Sequence, residues 1–193
     1  MSALAIELIS SWRRTLLTQK RTIDSALAQV PGHLLHQRPA PHINSIAIII
    51  RHLSGNMLSR WTDFLTTDGE KPWRDREAEF ADGGETREEL MAFWERAWAT
   101  TLAAIDALTP ADLARTITIR SEPHTVPDAV NRQISHYGYH AGQIMLIARL
   151  LRGGDADWQW TSIPPGESSR FNESMAARHA GRADSERDAR GKQ

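Results

Sequence analysis

The 193-residue sequence predicts an all-α fold, a four-helix bundle with a short β-hairpin before its last helix, and three observations carry that expectation. Four long stretches repeat apolar side chains at steps of three, four and seven, the stripe by which a helix buries one face. Clusters of proline and glycine separate those stretches, and only one short segment alternates polar and β-branched residues. A hydrophobic content of 40% is enough for one domain with a sizeable core.

The first helix is expected over residues 3–30, with Ile9, Trp12, Leu16, Ile23 and Leu27 on its buried stripe, and Pro31-Gly32 ends it. Residues 31–43 hold Pro31, Pro39 and Pro41 together with His33, His36 and His42. Their spacing fits no common metal site, so these histidines read as loop residues. Asn44 and Ser45 are both good N-caps, which places a second helix at about 44–67 with Ile46, Ile50, Leu53, Met57, Trp61 and Phe64 facing the core. His52 lies beside that stripe, on a face shared with Ile48, Ile49, Asn56, Ser59 and Asp63. A face half apolar and half small and polar suits a helix lining a cleft, and equally suits a boundary histidine satisfied by a neighbour. Gly55 weakens the helix slightly and would admit a close approach.

Residues 66–85 form a long connection with turn signals at Asp68-Gly69 and Asp82-Gly83-Gly84. Lys71, Arg74 and Arg76 could close over an anion or be solvated, and Trp73 is expected to pack down. Thr86 and Glu89 form a capping box, opening a third helix whose stripe is Met91, Trp94, Trp98, Leu102 and Ile105 and whose end is Leu108-Thr109-Pro110. Thr116–Ile119 and His124-Thr125-Val126, around Ser121-Glu122-Pro123, are a hairpin or two extended arms. The fourth helix starts at Thr125 or Pro127 and stops at Gly153-Gly154. Seven tryptophans, most at helical spacing, read as core. Beyond Glu167 only Phe171 and Met175 are large and apolar, too little burial to offset ordering entropy, so the domain is expected over 1–165 and a polar, disordered tail over 166–193.

Composition excludes several function classes. There are 23 basic and 24 acidic residues, a formal charge of -1, so no global field favours nucleic acid or an anionic membrane. The absence of cysteine removes disulfides, thiolate metal sites and a cysteine nucleophile. The longest wholly apolar run, residues 46–50, is far too short to span a bilayer, and the first residues do not read as a secretory signal. A soluble, cytoplasmic protein with a small-molecule substrate is the expectation.

The chemistry-bearing stretch is His136-Tyr137-Gly138-Tyr139-His140 within the fourth helix. Positions four apart lie one above the other, so His136 and His140 can aim at one spot and hold a divalent metal if a third ligand arrives from elsewhere. The same spacing also suits histidines that are hydrogen-bonded or exposed. Ala129, Gln133, Gln143, Ile144 and Ile147 share their face, and burying an imidazole without a partner is costly, which favours the metal. No glutamate lies between the histidines to act as the base of a zinc protease, and no glycine-rich phosphate loop or Gly-x-Ser-x-Gly motif occurs.

Taken with residues 44–61 around His52 and Asn56, and with Asp68-Gly-Glu-Lys-Pro-Trp-Arg74, the stretch from His136 through Gln143-Ile144 resembles the DinB/YfiT-like superfamily of candidate metalloenzymes, in an uncharacterised branch, over about residues 4–165. The resemblance implies a DinB-like four-helix bundle in which His52, His136 and His140 hold one divalent metal, with zinc or nickel expected. Asn56, Ser59, Asp63 and Gln143, on the histidine-bearing faces, are candidate contacts for cofactor or substrate. Superfamily members include thiol-dependent transferases and a mycothiol-dependent maleylpyruvate isomerase. Transfer chemistry on a low-molecular-weight thiol, or related hydrolase or isomerase chemistry, is therefore implied by analogy. The alternative is a non-catalytic metal-binding or interaction bundle, in a stress response for example. Such proteins often dimerise, so a homodimer is a further expectation.

Overall fold

The computed structural model describes residues 3–154 and 157–190, with side chains described as far as residue 180. The chain divides into two compact units, Met1–Trp158 and Gln159–Gln193. The described residues are mostly helical, with five α-helices and one two-stranded antiparallel sheet.

The first unit contains α1 (Ala3–Ala28), α2 (Ile46–Trp61), α3 (Arg87–Asp106), β1 (Thr116–Ile119), β2 (Glu122–Thr125) and α4 (Val126–Arg152). The main packing is α2 on α3 and α1 on α4, while α1 also touches α3 and α2 touches α4, so each of the four helices meets two others. Fourteen of the sixteen α2 residues are buried, which makes it the innermost helix. Its sequence allows this because most of its residues are apolar or small. The aromatic core joins three helices: Trp94 and Trp98 of α3 meet edge-on at 5.5 Å, and Trp98 meets Tyr137 of α4 at 5.8 Å. Such pairs contribute about 0.5–1.5 kcal/mol beyond the area they bury. Two of the polar edges are satisfied, since Trp94 Nε1 donates to Asp24 Oδ1 at 2.8 Å and Trp61 Nε1 donates to the Tyr137 hydroxyl at 2.8 Å, while Trp98 Nε1 is buried without a partner among the described residues.

The caps follow the sequence closely. Ser45 accepts from Ile48 N, Thr86 and Glu89 form the reciprocal capping box, Thr125 accepts from Asp128 N, and Gly153 closes α4 at φ 83°. Two elements depart from expectation. Helix α2 ends at Trp61 rather than near 67, because Thr62 is extended and Asp63 turns left-handed at φ 49°, with its carbonyl accepting from the amides of Thr66 and Thr67. Trp73 does not pack down but is 59% exposed.

The extended segments do form a hairpin, registered Thr116 to Thr125 and Ile119 to Glu122. Arg120 and Ser121 turn it with φ of 55° and 63°, a conformation that usually selects asparagine or glycine. Asp68 offsets that strain: its carboxylate accepts from the amides of Arg120 and Ser121 at 2.8 Å each, and from Glu70 N at 2.7 Å. Burial works against the charge, but those amides hold the Asp68 carboxyl well below the usual range. Gly69 N donates to Thr118 O at 2.8 Å, so the 66–85 connection is laced to the hairpin edge. A side chain on Gly69 would meet Arg60 Cδ and Ile119 Cγ1 at 3.1 Å.

In the second unit α5 (Ser168–Arg190) occupies the stretch for which composition predicts no order. Its described residues are exposed apart from half-buried Met175, so its helicity rests on local backbone hydrogen bonds and not on a buried stripe.

Candidate metal centre

The centre forms where α2 and α4 face each other. His52 projects from α2, and His136 and His140 project one turn apart from α4. His52 is 6% exposed, His140 is 9%, and His136 is half-buried. Their inner nitrogens converge, with His136 Nε2 3.3 Å from His52 Nε2 and 3.1 Å from His140 Nε2. A tetrahedral site with bonds of about 2.0–2.1 Å sets its ligand atoms roughly 3.3 Å apart. Those two separations match it, and all three ligand atoms lie within 4.8 Å of one another, a group that could hold one metal ion.

The outer nitrogens explain why the inner ones face inward. His52 Nδ1 donates to Glu79 Oε2 at 2.9 Å, and His140 Nδ1 donates to Gln143 Oε1 at 2.7 Å. Placing the ring proton on Nδ1 leaves the Nε2 lone pair aimed at the common point. His136 Nε2 carries at most one hydrogen, so it can satisfy only one of its two close nitrogen neighbours, whereas a cation satisfies all three. Burial lowers the His136 pKa to about 3, helped by His140, His52, Arg60 and Arg74, and lowers that of His140 to about 4. Both rings are neutral at pH 7, the form that binds metal.

Glu79 is the functional residue that the sequence reading missed. It sits in the short 3-10 turn Ala78–Phe80, is buried, and is gripped at both oxygens by Arg74, whose Nε and terminal nitrogen donate at 2.7 and 2.9 Å. Burial pushes its pKa up, but Arg74 and His52 outweigh that and keep it below the usual carboxylate value. Gly55 makes room for it, since a Cβ there would lie 2.2 Å from Glu79 Oε1. The glycine was the one available signal, and it gave no indication of which residue approaches. Phe80 lies 4.7 Å from the His52 ring and narrows that side.

A cavity of about 210 Å³ opens on His52 and His136. Asn56 lines it, buried, with no hydrogen-bond partner for Oδ1 among the described residues. Ser59 is buried and faces the loop: its hydroxyl donates to Gly69 O at 2.7 Å and accepts from Lys71 N at 3.2 Å. Asp63 lies beyond the end of α2 and is exposed, so it does not share the helical face of His52. Gln143 meets His140 directly.

The family model described as "Protein of unknown function (DUF1572)" matches residues 3–167. A solved structure described as the conserved protein of locus from Enterococcus faecalis is similar in fold, with a TM-score of 0.58 and 19% identity, over 75% of this chain and 96% of that one. No curated protein matches the chain.

Proposed function

Because the chain belongs to the DUF1572 family, whose function is unknown, its role has to be read from the site, and we propose a metal-dependent enzyme of the DinB-like four-helix-bundle type holding one zinc or nickel ion on His52, His136 and His140. The observation that carries this reading is the convergence of three Nε2 atoms whose outer partners, Glu79 and Gln143, hold two of the rings in the ligating tautomer. Among the described residues the cluster offers three protein ligands, the number found in catalytic sites, where structural sites use four. A divalent ion there supplies Lewis acidity, bringing the pKa of a water or thiol towards neutrality.

The chain's own residues supply the rest. Glu79 orients His52, Gln143 orients His140, Asn56 faces the bound molecule, and Ser59 acts indirectly by seating the loop that carries Arg74. Asp63 makes none of these contacts. The resemblance to thiol-dependent members of the DinB/YfiT-like group supports transfer on a low-molecular-weight thiol, with hydrolysis or isomerisation as related outcomes. The test is an activity screen of zinc- and nickel-loaded protein for thiol transfer to electrophiles and for hydrolysis. Turnover should appear only with metal and vanish in His140→Ala. Activity and metal content that both survive His140→Ala would sink the proposal. A small change in melting temperature on chelation keeps the metal catalytic, whereas collapse of the fold would make it structural.

A further inference from the structure

The cavity beside His52 and His136 is walled by arginines that their own carboxylates do not neutralise, and we propose that it is a receptor for an oxyanion group, a carboxylate or a phosphate, on the small molecule that the site handles. That the molecule is also transformed there rests on the metal reading; the anion receptor stands on different residues.

Arg60 and Arg74 form the cavity floor, with side chains 6% and 2% exposed, and Arg120 and Arg132 form its rim at about half exposure. One carboxylate, Glu70, serves three of them, at 3.1 Å from Arg60, 3.6 Å from Arg74 and 3.0 Å from Arg120. Glu79 takes both prongs of Arg74 and the His52 ring as well. The nearest carboxylate to Arg132 is the exposed Glu122 at 3.8 Å. Among the described residues no carboxylate lines the cavity, which Arg76, paired with the exposed Glu77, also lines, so positive charge faces it only partly offset. The arginines therefore have donors to offer in the fork geometry that matches carboxylate and phosphate oxygens.

One buried polar group points the same way: Arg60 Nε is unpaired among the described residues, an N–H donor that an oxyanion can satisfy. Asn56 and Gln133, 6% and 3% exposed, also line the cavity, and their side-chain oxygens, without a partner among the described residues, are acceptors for a donor elsewhere on the ligand. The volume equals about seven waters, which suits a small molecule and not a polymer. Coordination at the histidines and charge pairing at the arginines would thus grip two ends of one ligand.

The test is calorimetric titration of the full-length protein, in a buffer free of phosphate and carboxylate, with inorganic phosphate, malonate and uncharged malonamide. Arg120→Gln and Arg132→Gln remove rim charges without stranding a buried one, and Arg13→Gln, whose partner is Asp106 and which does not line the cavity, is the control. At least one anion should bind the wild type, bind about tenfold more weakly to a rim variant and bind equally to the control, while malonamide does not bind. Tighter phosphate binding would assign a phosphate ester, and tighter malonate binding a carboxylate. No anion binding, or binding unchanged in both rim variants, overturns the proposal. Metal content measured on the same samples separates the two readings: anion binding without metal contradicts only the metal site, and metal without anion binding contradicts only the receptor.

Discussion

The three histidines and the charged groups that reach them from the connections are built in opposite ways. The ligands stand on two long helices, α2 and α4, whose backbones are fixed by core packing on Trp61, Tyr137 and Trp98. Their partners Glu79, Arg74 and Arg120 stand on connections, held by hydrogen bonds and charge pairs with the hairpin and with one another. Helices set where the metal can sit and also supply Gln143 for the His140 ring and Arg60 and Arg132 for the cavity, while the connections orient the His52 ring and add the charges of Arg74 and Arg120.

That division predicts a graded set of effects. The largest is on metal binding: replacing His52, His136 or His140 by alanine should take stoichiometry from one equivalent towards none in zinc titrations, and His136→Ala, at a half-buried position, should do so with the fold kept. Retention of tight zinc binding in the His136→Ala variant would break the comparison. Glu79→Gln should come next, weakening metal affinity about 10- to 100-fold through loss of the charge that orients His52. Glu79→Ala should in addition cost about 3 kcal/mol in denaturant unfolding, since it strands the Arg74 guanidinium, 2% exposed, without its main partner. Gly55→Ala tests the same contact from the helix side. Its Cβ would overlap the Glu79 carboxylate, so a loss of about 1–3 kcal/mol is expected, with a fall in metal affinity alongside it.

Acid sharpens the contrast in another way. The folded-state pKa values of His136 and His140, about 3 and 4, are depressed below the ordinary imidazole value. In metal-free protein the stability they contribute is present above the unfolded pKa of about 6.5 and is lost as pH falls towards the folded values, because the unfolded chain takes up protons that the folded rings refuse. Melting temperature should therefore decline between about pH 6.5 and 4, and the decline should shrink in His136→Ala. The smallest effect is on the connection's outer surface, where Trp73→Ala should change stability by less than about 0.5 kcal/mol despite the size of the side chain.

How much of this was legible in the sequence follows the same division. Helical periodicity located α1 to α4, because the stripe through Trp12, Leu16, Ile23 and Leu27 or through Trp94 and Trp98 is a local pattern that tertiary structure only has to accept. The His136 and His140 pair was visible for the same reason. Where the rule is local conformation at one residue, the reading ran on too far: the left-handed turn at Asp63 ends α2 and takes that carboxylate off the His52 face. The exposure of Trp73 departs from expectation because hydrophobicity says nothing about whether a loop has a groove to fill. Glu79 lies 27 residues from His52 in a stretch with no periodicity, and its pairing depends on the path of the connection, which Asp68 fixes by capping the hairpin turn. Gly55 marked the place of contact without naming the partner.

If three Nε2 atoms share one ion, an anomalous difference map at the zinc and nickel edges, from crystals of protein purified without a metal-affinity tag, should show a single peak about 2.0–2.1 Å from Nε2 of His52, His136 and His140, with no fourth protein ligand. No peak after soaking with either metal, or a peak held by other residues, would rule the shared ion out.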